Sequence, residues 1–370
     1  MKSDVNFLHV GMPSLEQRKN ITSFFEFWPS QIIYLPVVVQ WLGLAAKYRS
    51  LTLPLIANPS IPLAGMVGES KSGILTLAGK QAKSVIAPWI VYHKTQESAV
   101  KQADVIVDAM VTAGFNLPVV AKPDQGCRGA GVWKITTTER LIEYIDSFPH
   151  GHNFIVQKLS TYLPEVGIFY FRLPNQACGQ IISITLKYPP FVTGDGQRSL
   201  RELILSDQRA AQLTHIYFPR LQARLDRVLA LGEIMPLAFA GNHCRGSIFR
   251  NGNAYITPAL TEALDQILAD VDGFYYGRLD VRFRHIDALM RGEDFEIIEI
   301  NGAASEATHI WDPDTRFSEV YDTLFLQYRT LFAIGEQIRA QGNHQPPSVL
   351  ALLRAWWQER QLVTQYPATD

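Results

Sequence analysis

A stretch in the first half of the chain, "VVAKPDQGCRGAGVWKI" at 119–135, places a lysine shortly before three closely spaced glycines. Glycines let a backbone approach a ligand closely, and successive N–H groups of such a loop can bind phosphate oxygens. The order here is G-x-x-G-x-G with the lysine ahead of it. This differs from the G-x-G-x-x-G of dinucleotide folds and from the P-loop pattern. Taken alone, the stretch fits either a loop over nucleotide phosphates or a tight turn between two strands.

A second set of chemically capable residues lies on two candidate strands, "GRLDVRF" and "FEIIEIN". Alternation places Arg278, Asp280 and Arg282 on one face of the first strand, and Glu299 and Asn301 on one face of the second. If the strands pair antiparallel, Asp280 lies opposite Glu299. Facing carboxylates repel each other, and a cation such as Mg²⁺, bound together with substrate phosphates, would neutralise them. The alternative is two surface strands whose carboxylates pair with Arg278 and Arg282.

The composition is that of a globular protein long enough for more than one core, with 370 residues of which 47% are hydrophobic. The 34 basic and 35 acidic side chains nearly cancel, so charge gives no reason to expect nucleic acid as a partner. Three cysteines, odd in number and far apart, suit a reducing compartment. The N-terminus shows no signal-peptide pattern, and we expect a cytoplasmic protein.

Residues 1–70 are interpreted as an irregular N-terminal region punctuated by prolines. Its apolar segment 32–46 contains Pro36 and Gln40 and is shorter than the roughly 20 residues of a membrane-spanning helix. We favour a buried helix there. Membrane contact through 24–57, which includes the aromatic cluster "FFEFWP", is the alternative.

From about Ser70 onward, hydrophobic periodicity predicts a regular series of elements. Helices are predicted at 70–82, 97–114, 136–148 and 258–271, and strands at 84–92, 117–122, 130–135, 153–159, 165–173, 178–188, 276–283 and 294–301. In strand 178–188, Ser183, Thr185 and Lys187 are expected on one face, with Ile182, Ile184 and Leu186 on the other. Residues 189–205 are interpreted as a turn-rich loop that leads into a helix, and the tail from about 316 as helical with a break at "NHQPPS".

Taken in chain order, five segments resemble the ATP-grasp superfamily: "VVAKPDQGCRGAGV", "VQKL", "LKYPPFVTGDGQRSLRELI", "GRLDV" and "FEIIEIN". The similarity is to its carboxylate–amine ligases, such as D-alanine–D-alanine ligase and the ATP-grasp part of cyanophycin synthetase, and it covers about residues 70–315. It favours the phosphate interpretation of the glycine-rich loop. It also implies an α+β fold in which two α+β lobes enclose ATP. The implied parts are a divergent N-terminal region (1–70), a small lobe (71–160), a large lobe (161–315) and a helical C-terminal extension (316–370).

The resemblance implies an ATP site made of Lys122, Gly126, Arg128, Gly129, Gly131, Gln157, Lys158, Leu159, Glu165 and Lys187. Lys122 would contact the α- and β-phosphates, and the glycine-rich loop would cover the β- and γ-phosphates with backbone N–H groups. The backbone of Lys158 and Leu159 would bond the adenine edge, and Glu165 would accept from the ribose. Lys187 would reach the γ-phosphate.

For the reaction itself, the resemblance implies that Arg278 and Lys187 are catalytic, with Arg278 stabilising the oxyanion formed when an acceptor attacks. Asp280, Glu299 and Asn301 would hold two Mg²⁺ ions, or Mn²⁺ in their place, with Glu299 bridging. Lys71 in "GESKSG" matches a further phosphate-binding lysine in one of two possible alignments.

Two departures bear on the substrates. After the asparagine this chain reads "NGAASEATHIWDP", where D-alanine ligases have a Thr-Ser-Pro-Gly turn, so D-alanine is not inherited as a substrate. Arg245, Arg282, Glu306 and His309 lie near the motifs and are candidates to bind a carboxylate or an amine. We predict an ATP-dependent carboxylate–amine ligase that acts on small substrates of the amino-acid or peptide type, with a homodimer left open. The alternatives are a phosphotransferase and a non-catalytic nucleotide-binding module.

Overall fold

The computed structural model describes residues 9–15, 30–126, 129–238, 241 and 246–369. Its α-helices are α1 (Ser30–Tyr48), α2 (Lys71–Thr76), α3 (Lys80–Val85), α4 (Ala99–Thr112), α5 (Thr138–Ser147), α6 (Leu200–Ser206), α7 (Thr214–Leu221), α8 (Pro258–Ala269), α9 (Ile286–Met290), α10 (Phe317–Ala340) and α11 (Val349–Val363). Its strands are β1 (Trp89–His93), β2 (Val119–Pro123), β3 (Trp133–Ile135), β4 (Asn153–Lys158), β5 (Glu165–Phe171), β6 (Gln180–Tyr188), β7 (Phe191–Thr193), β8 (Ile234–Pro236), β9 (Ile248–Asn251), β10 (Tyr276–Phe283) and β11 (Phe295–Asn301). The predicted α+β class is confirmed.

A four-stranded antiparallel sheet, in the order β1-β4-β2-β3, carries the glycine-rich loop between β2 and β3. Helices α4 and α5 form its core with it, through buried side chains that include Ile106, Tyr144 and Phe154. Thr137 caps α5 by accepting a hydrogen bond from the backbone N–H of Arg140, as its sequence position predicts. This sheet gives the loop two firmly packed ends.

A five-stranded antiparallel sheet, in the order β11-β10-β5-β6-β9, carries the acidic residues. Every residue of its central strand β5 is buried because both faces of the sheet are covered. Ile168 packs in the core that includes α8, whereas Phe169 packs in the core that includes Leu331 of α10. The Phe169 face continues along the strand to Glu165, so one end of it is apolar and the other end is charged.

The predicted loop 189–205 is corrected in its first part, where β7 pairs with β8 in a two-stranded sheet. Val192 of β7 packs there with buried residues of α6 and α7, such as Leu203 and Tyr217. The predicted helix 70–82 is two short helices, α2 and α3. They are separated at Gly79, whose N–H donates to the carbonyl of Asp270 (2.6 Å).

The predicted faces of β6 also need one correction. The pairing with β5 passes from Ser183 to Ile181 as Phe169 passes to Tyr170, which makes Ile182 an extra, bulged residue. Ile184 and Leu186 therefore pack in one core, while Ile182 packs in the core on the other face.

The helix predicted within 32–46 is present as α1, but the prediction that it is buried is wrong for one face. Ile33 and Val37 are buried against α10, whereas Leu35 and Val39 are 61% and 63% exposed. Among the described residues, no helix combines the length and the apolar character that crossing a membrane requires. The "FFEFWP" cluster lies outside the described residues.

Candidate active site

Most of the predicted site residues line one cavity of about 1670 Å³, whose walls come from both larger sheets. The predicted residues in its wall are Lys122, Gly126, Gly129, Gln157, Lys158, Leu159, Glu165, Lys187, Arg278, Asp280, Glu299 and Asn301. Gly131 lies beside the cavity instead, packed against Pro123 and Tyr366. Arg128 lies outside the described residues.

A cluster of charged side chains occupies the large-sheet wall of this cavity. Lys187 Nζ lies 2.9 Å from Glu165 Oε1 and 2.9 Å from Asp280 Oδ1. Arg278 Nε donates to Asp280 Oδ1 (3.0 Å), and Arg282 Nη2 lies 2.7 Å from Glu165 Oε2. Three cations thus face two carboxylates, and the positive excess suits an anionic ligand.

The cluster holds its carboxylates in the charged form. Burial by itself would raise the pKa of Asp280, but the charges of Arg278 and Lys187 outweigh it and lower that pKa to about 2. The pKa of Glu165 is also lowered, since Lys187 and Arg282 together overcome its burial. Burial lowers the pKa of Lys187 less than the two carboxylates raise it, so the ammonium is retained.

The strand beneath this cluster, β5, has a glycine, Gly167, directly under the charged side chains. A Cβ at Gly167 would lie 3.3 Å from Arg278 Cδ, 3.4 Å from Lys187 Cε and 3.5 Å from Asp280 Oδ1. The missing side chain leaves room for three long or charged side chains to converge over β5, since neighbouring residues of adjacent strands lie only about 5 Å apart.

Lys122 is held between the two sheets. Its Nζ donates to Gln157 Oε1 (2.9 Å) and to the carbonyl of Ile298 (3.0 Å). The β10–β11 pairing passes from Glu299 to Ile297, so Ile298 is a bulged residue and its carbonyl is available to the lysine. Burial lowers the pKa of Lys122, and the charge of Glu299 opposes that shift. In its phosphate role, Lys122 would exchange these two acceptors for phosphate oxygens.

The glycine-rich loop is covered by the C-terminal segment of the chain. Gly126, Gly129 and Gly131 all have positive φ (140°, 70° and 67°), a backbone conformation that favours glycine. Thr369 Oγ1 donates to the carbonyl of Gly129 (2.8 Å) and accepts from the N–H of Gly131 (3.2 Å). Tyr366 Oη donates to the carbonyl of Gln125 (2.6 Å). Sequence reasoning missed this contact because more than 230 residues separate its two sides.

The backbone N–H groups of the two predicted adenine contacts take part in hydrogen bonds within the chain. The N–H of Lys158 donates to the carbonyl of Pro88 (2.8 Å), and that of Leu159 donates to the carbonyl of Pro118 (3.3 Å). Both N–H groups are therefore already used within the chain, although both residues line the cavity. The longer Leu159 bond is the weaker of the two and is the one a ligand could replace at lower cost.

The predicted metal ligands lie on paired strands at the cavity wall. Asp280 pairs with Glu299 and Arg278 with Asn301 in the antiparallel register of β10 and β11, as the sequence predicts. In the described part of the chain, no group of three or more His, Cys, Asp or Glu side chains could hold a metal ion by itself. Two carboxylates and an amide fit Mg²⁺ bound jointly with phosphates, which needs few protein ligands.

Two further residues reach the same wall from the start of α2 and from just before it. Lys71 Nζ donates to the carbonyl of Gly126 (2.8 Å) and lies 3.8 Å from Glu299 Oε1, so Lys71 does join the loop and the acidic strand. Glu69 was missed: its Oε2 accepts from the N–H of Gly302 (2.6 Å), and burial raises its pKa to about 7. The signal was the run "GESKSG", whose Ser70 caps α2.

The other sequence candidates separate into different environments. Glu306 lines the cavity, and so does Arg282, which pairs with Glu165. His309 is buried with its Nδ1 2.6 Å from Ser183 Oγ, and burial lowers its pKa to about 4, which indicates a packing role. Arg245 lies outside the described residues.

Comparison with known proteins finds no matching family model and no match among curated proteins. Among solved structures, the chain is similar to a bifunctional glutathione synthetase from Pasteurella multocida (15% identity, TM-score 0.33) and to a D-alanine–D-alanine ligase from Bacillus anthracis (13%, 0.38). It is also similar to the VanG D-Ala:D-Ser ligase from Enterococcus faecalis (11%, 0.38).

The similarities cover 70%, 74% and 73% of this chain, and 36%, 68% and 64% of the respective structures. The chain thus spans about a third of the glutathione synthetase. A D-alanine–D-alanine ligase, one of the proteins named in the resemblance, is among these structures.

Proposed function

We propose that this chain is an ATP-dependent ligase that joins a carboxylate to an amine through an acyl phosphate and releases ADP and phosphate. The observation that supports this proposal most strongly is that residues of both larger sheets line one cavity. Lys122 and the glycine-rich loop come from the small sheet, and Lys187, Arg278 and the acidic strand pair come from the large sheet. A site that must stabilise a transferring phosphoryl group needs such converging cations and oxygen ligands.

In the first step the substrate carboxylate attacks the γ-phosphorus, and the bond to the β-phosphate oxygen breaks to give ADP. Lys122 and Lys187 neutralise phosphate charge from opposite walls of the cavity. Asp280, Glu299 and Asn301 are the residues that would hold Mg²⁺, or Mn²⁺, and a second ion would use the same set. Such an ion, when bound, supplies charge neutralisation at the phosphate oxygens.

In the second step the amine attacks the acyl carbon, loses a proton, and inorganic phosphate leaves. Arg278 lies in the cavity wall to stabilise the oxyanion that develops. Glu69 lines the same cavity and is the candidate acceptor for the proton, and its pKa of about 7 is compatible with taking up a proton near neutral pH. The lobes that close around these reactants correspond to 71–160 and 161–315.

The test is ADP release measured with purified protein, ATP and Mg²⁺, using small acids and amines singly and in pairs. A ligase requires both co-substrates for steady turnover and yields ADP and phosphate. ADP release that needs one co-substrate and leaves a stable phosphorylated product would identify a phosphotransferase instead. Stoichiometric AMP would overturn the acyl-phosphate route.

A further inference from the structure

One part of the cavity wall, called the aromatic end below, is lined mainly by residues outside 70–315. Tyr34 comes from α1, Tyr328 from α10 and Trp356 from α11, and Trp311 lies just ahead of α10. Aliphatic side chains complete this end, namely Ile33, Met66 and Leu324. This chemistry differs from the charged wall of the large sheet and fits a hydrocarbon or aromatic group.

One carboxylate lies among these rings. Glu306 Oε1 accepts a hydrogen bond from Tyr34 Oη, and Glu306 Oε2 accepts from Trp311 Nε1 (3.0 Å). Tyr328 lies close enough that the Glu306 charge, added to burial, raises its pKa to about 12. An oriented carboxylate surrounded by tyrosine and tryptophan rings attracts a cation in two ways, by charge and by the ring faces.

The aromatic end belongs to the same cavity as the charged wall of the large sheet. Glu306 and Arg278 both line this cavity, and the charge of Glu306 contributes to the raised pKa of Arg278.

We propose that the aromatic end binds the amine substrate, and that this substrate is a primary amine with an apolar body. Its ammonium group contacts Glu306, and its apolar body packs against the rings of Tyr328 and Trp356. This inference rests on the proposed ligase function for the identity of the acceptor. It goes further by replacing the amino-acid type of acceptor with an apolar amine.

Binding can be measured without turnover, because Trp311 and Trp356 report on this end of the cavity by their fluorescence. Hexylamine, hexanoate and ethylamine are titrated separately into the nucleotide-free protein. Hexylamine should bind at least about tenfold more tightly than either of the others, since only it satisfies both the carboxylate and the apolar wall. Equal binding of hexylamine and ethylamine, or tighter binding of hexanoate, would overturn the proposal.

Two variants assign the effect to named side chains. Glu306→Gln should weaken hexylamine about tenfold, whereas Glu262→Gln, the same change at an exposed site on α8, should leave it unaltered. Trp356→Ala, at a side chain that is 45% exposed, should weaken hexylamine but not ethylamine. Unchanged hexylamine binding in Glu306→Gln would show that the carboxylate does not select the amine.

A separate titration with a non-hydrolysable ATP analogue and Mg²⁺ distinguishes the two levels of inference. Nucleotide binding without hexylamine binding would leave the ligase proposal standing and remove the apolar-amine assignment. Hexylamine binding without nucleotide binding would remove the ligase proposal and leave an amine-binding site with no role as an acceptor site.

Discussion

Arg278 and Asp280 lie two residues apart on β10, and their side chains meet on the same side of the sheet. The same guanidinium is proposed to stabilise an oxyanion and is seen to neutralise Asp280. Lys187 also contacts Asp280, at 2.9 Å, so the carboxylate keeps one cation when Arg278 turns toward a ligand. The two tasks are therefore compatible, and a substitution can separate them.

Arg278→Lys should keep the charge beside Asp280 but lose the planar fork that fits a tetrahedral oxyanion. We expect ATP affinity and single-turnover ADP formation to stay near normal, while product ligation slows about 10²–10³-fold. Quenched-flow measurement of ADP and ligated product checks this. An equal loss in both steps would assign Arg278 to holding Asp280 in place.

The raised pKa of Glu69 makes the free energy of unfolding depend on pH. Its pKa rises from 4.5 to about 7 because folding buries it, so the folded chain binds this proton more tightly than the unfolded chain. The stability contributed by the protonated group is therefore complete below about pH 4.5 and is lost as pH rises through 7. We therefore compare the free energy of unfolding of Glu69→Gln with that of wild type at two pH values. The variant should be more stable relative to wild type at about pH 8 than at about pH 4.

Urea unfolding of both proteins at the two pH values, without Mg²⁺ or nucleotide, tests this. The exposed Glu262→Gln should show no such difference. A constant gap between wild type and Glu69→Gln across the range would mean that Glu69 keeps its ordinary pKa.

At the scale of elements, the C-terminal segment after α11 restrains the glycine-rich loop. Tyr366 stacks on Phe148 of the small-sheet core at 5.4 Å, so the segment is anchored on one side while Thr369 bonds Gly129 and Gly131 on the other. Phosphate binding is proposed to use N–H groups of this loop, and Thr369 occupies one of them, the N–H of Gly131.

Thr369→Val should loosen the loop, since it removes both hydrogen bonds at once. We expect trypsin to cut faster at Arg128, and an ATP analogue with Mg²⁺ to restore protection. Thr364→Val is the matched control, because that hydroxyl donates only to the nearby carbonyl of Gln361 (2.7 Å). Equal cleavage rates in the two variants would show that the segment does not hold the loop.

Local pattern predicted the elements that carry the site, and long-range contacts account for what it missed. Alternation on two adjacent strands predicts that Asp280 lies opposite Glu299, and the two residues are paired in the structure. The bulges at Ile182 and Ile298 could not be seen, because each depends on the partner strand. The backbone bonds of Leu159 and the tail contacts of Thr369 likewise join segments far apart in sequence.

At the scale of the whole molecule, the flanking regions complete a cavity that the two sheets leave open. Asn58 illustrates the connection: its Nδ2 donates to the carbonyls of Ala64 (3.1 Å) and Tyr276 (2.9 Å), which ties the N-terminal region to β10. Gly335 of α10 packs closely against Leu53 in the same region. The region predicted as irregular thus supports the large sheet and the aromatic end of the cavity.

A nucleotide that bridges both sheets should stabilise the fold by linkage. An ATP analogue with Mg²⁺ at a hundred times its dissociation constant should add about 2.7 kcal/mol to the free energy of unfolding. Glu299→Gln should lose the part of this gain that depends on Mg²⁺, because the amide lacks the charge that the ion needs, and should keep the part due to the nucleotide alone. Glu296→Gln, on the same strand but pairing with Arg282 in the register, is the matched control. Thermal unfolding with nucleotide alone, with Mg²⁺ alone and with both measures the two parts. A full Mg²⁺-dependent gain in Glu299→Gln would remove Glu299 from the metal site and leave Asp280 and Asn301 as its candidates.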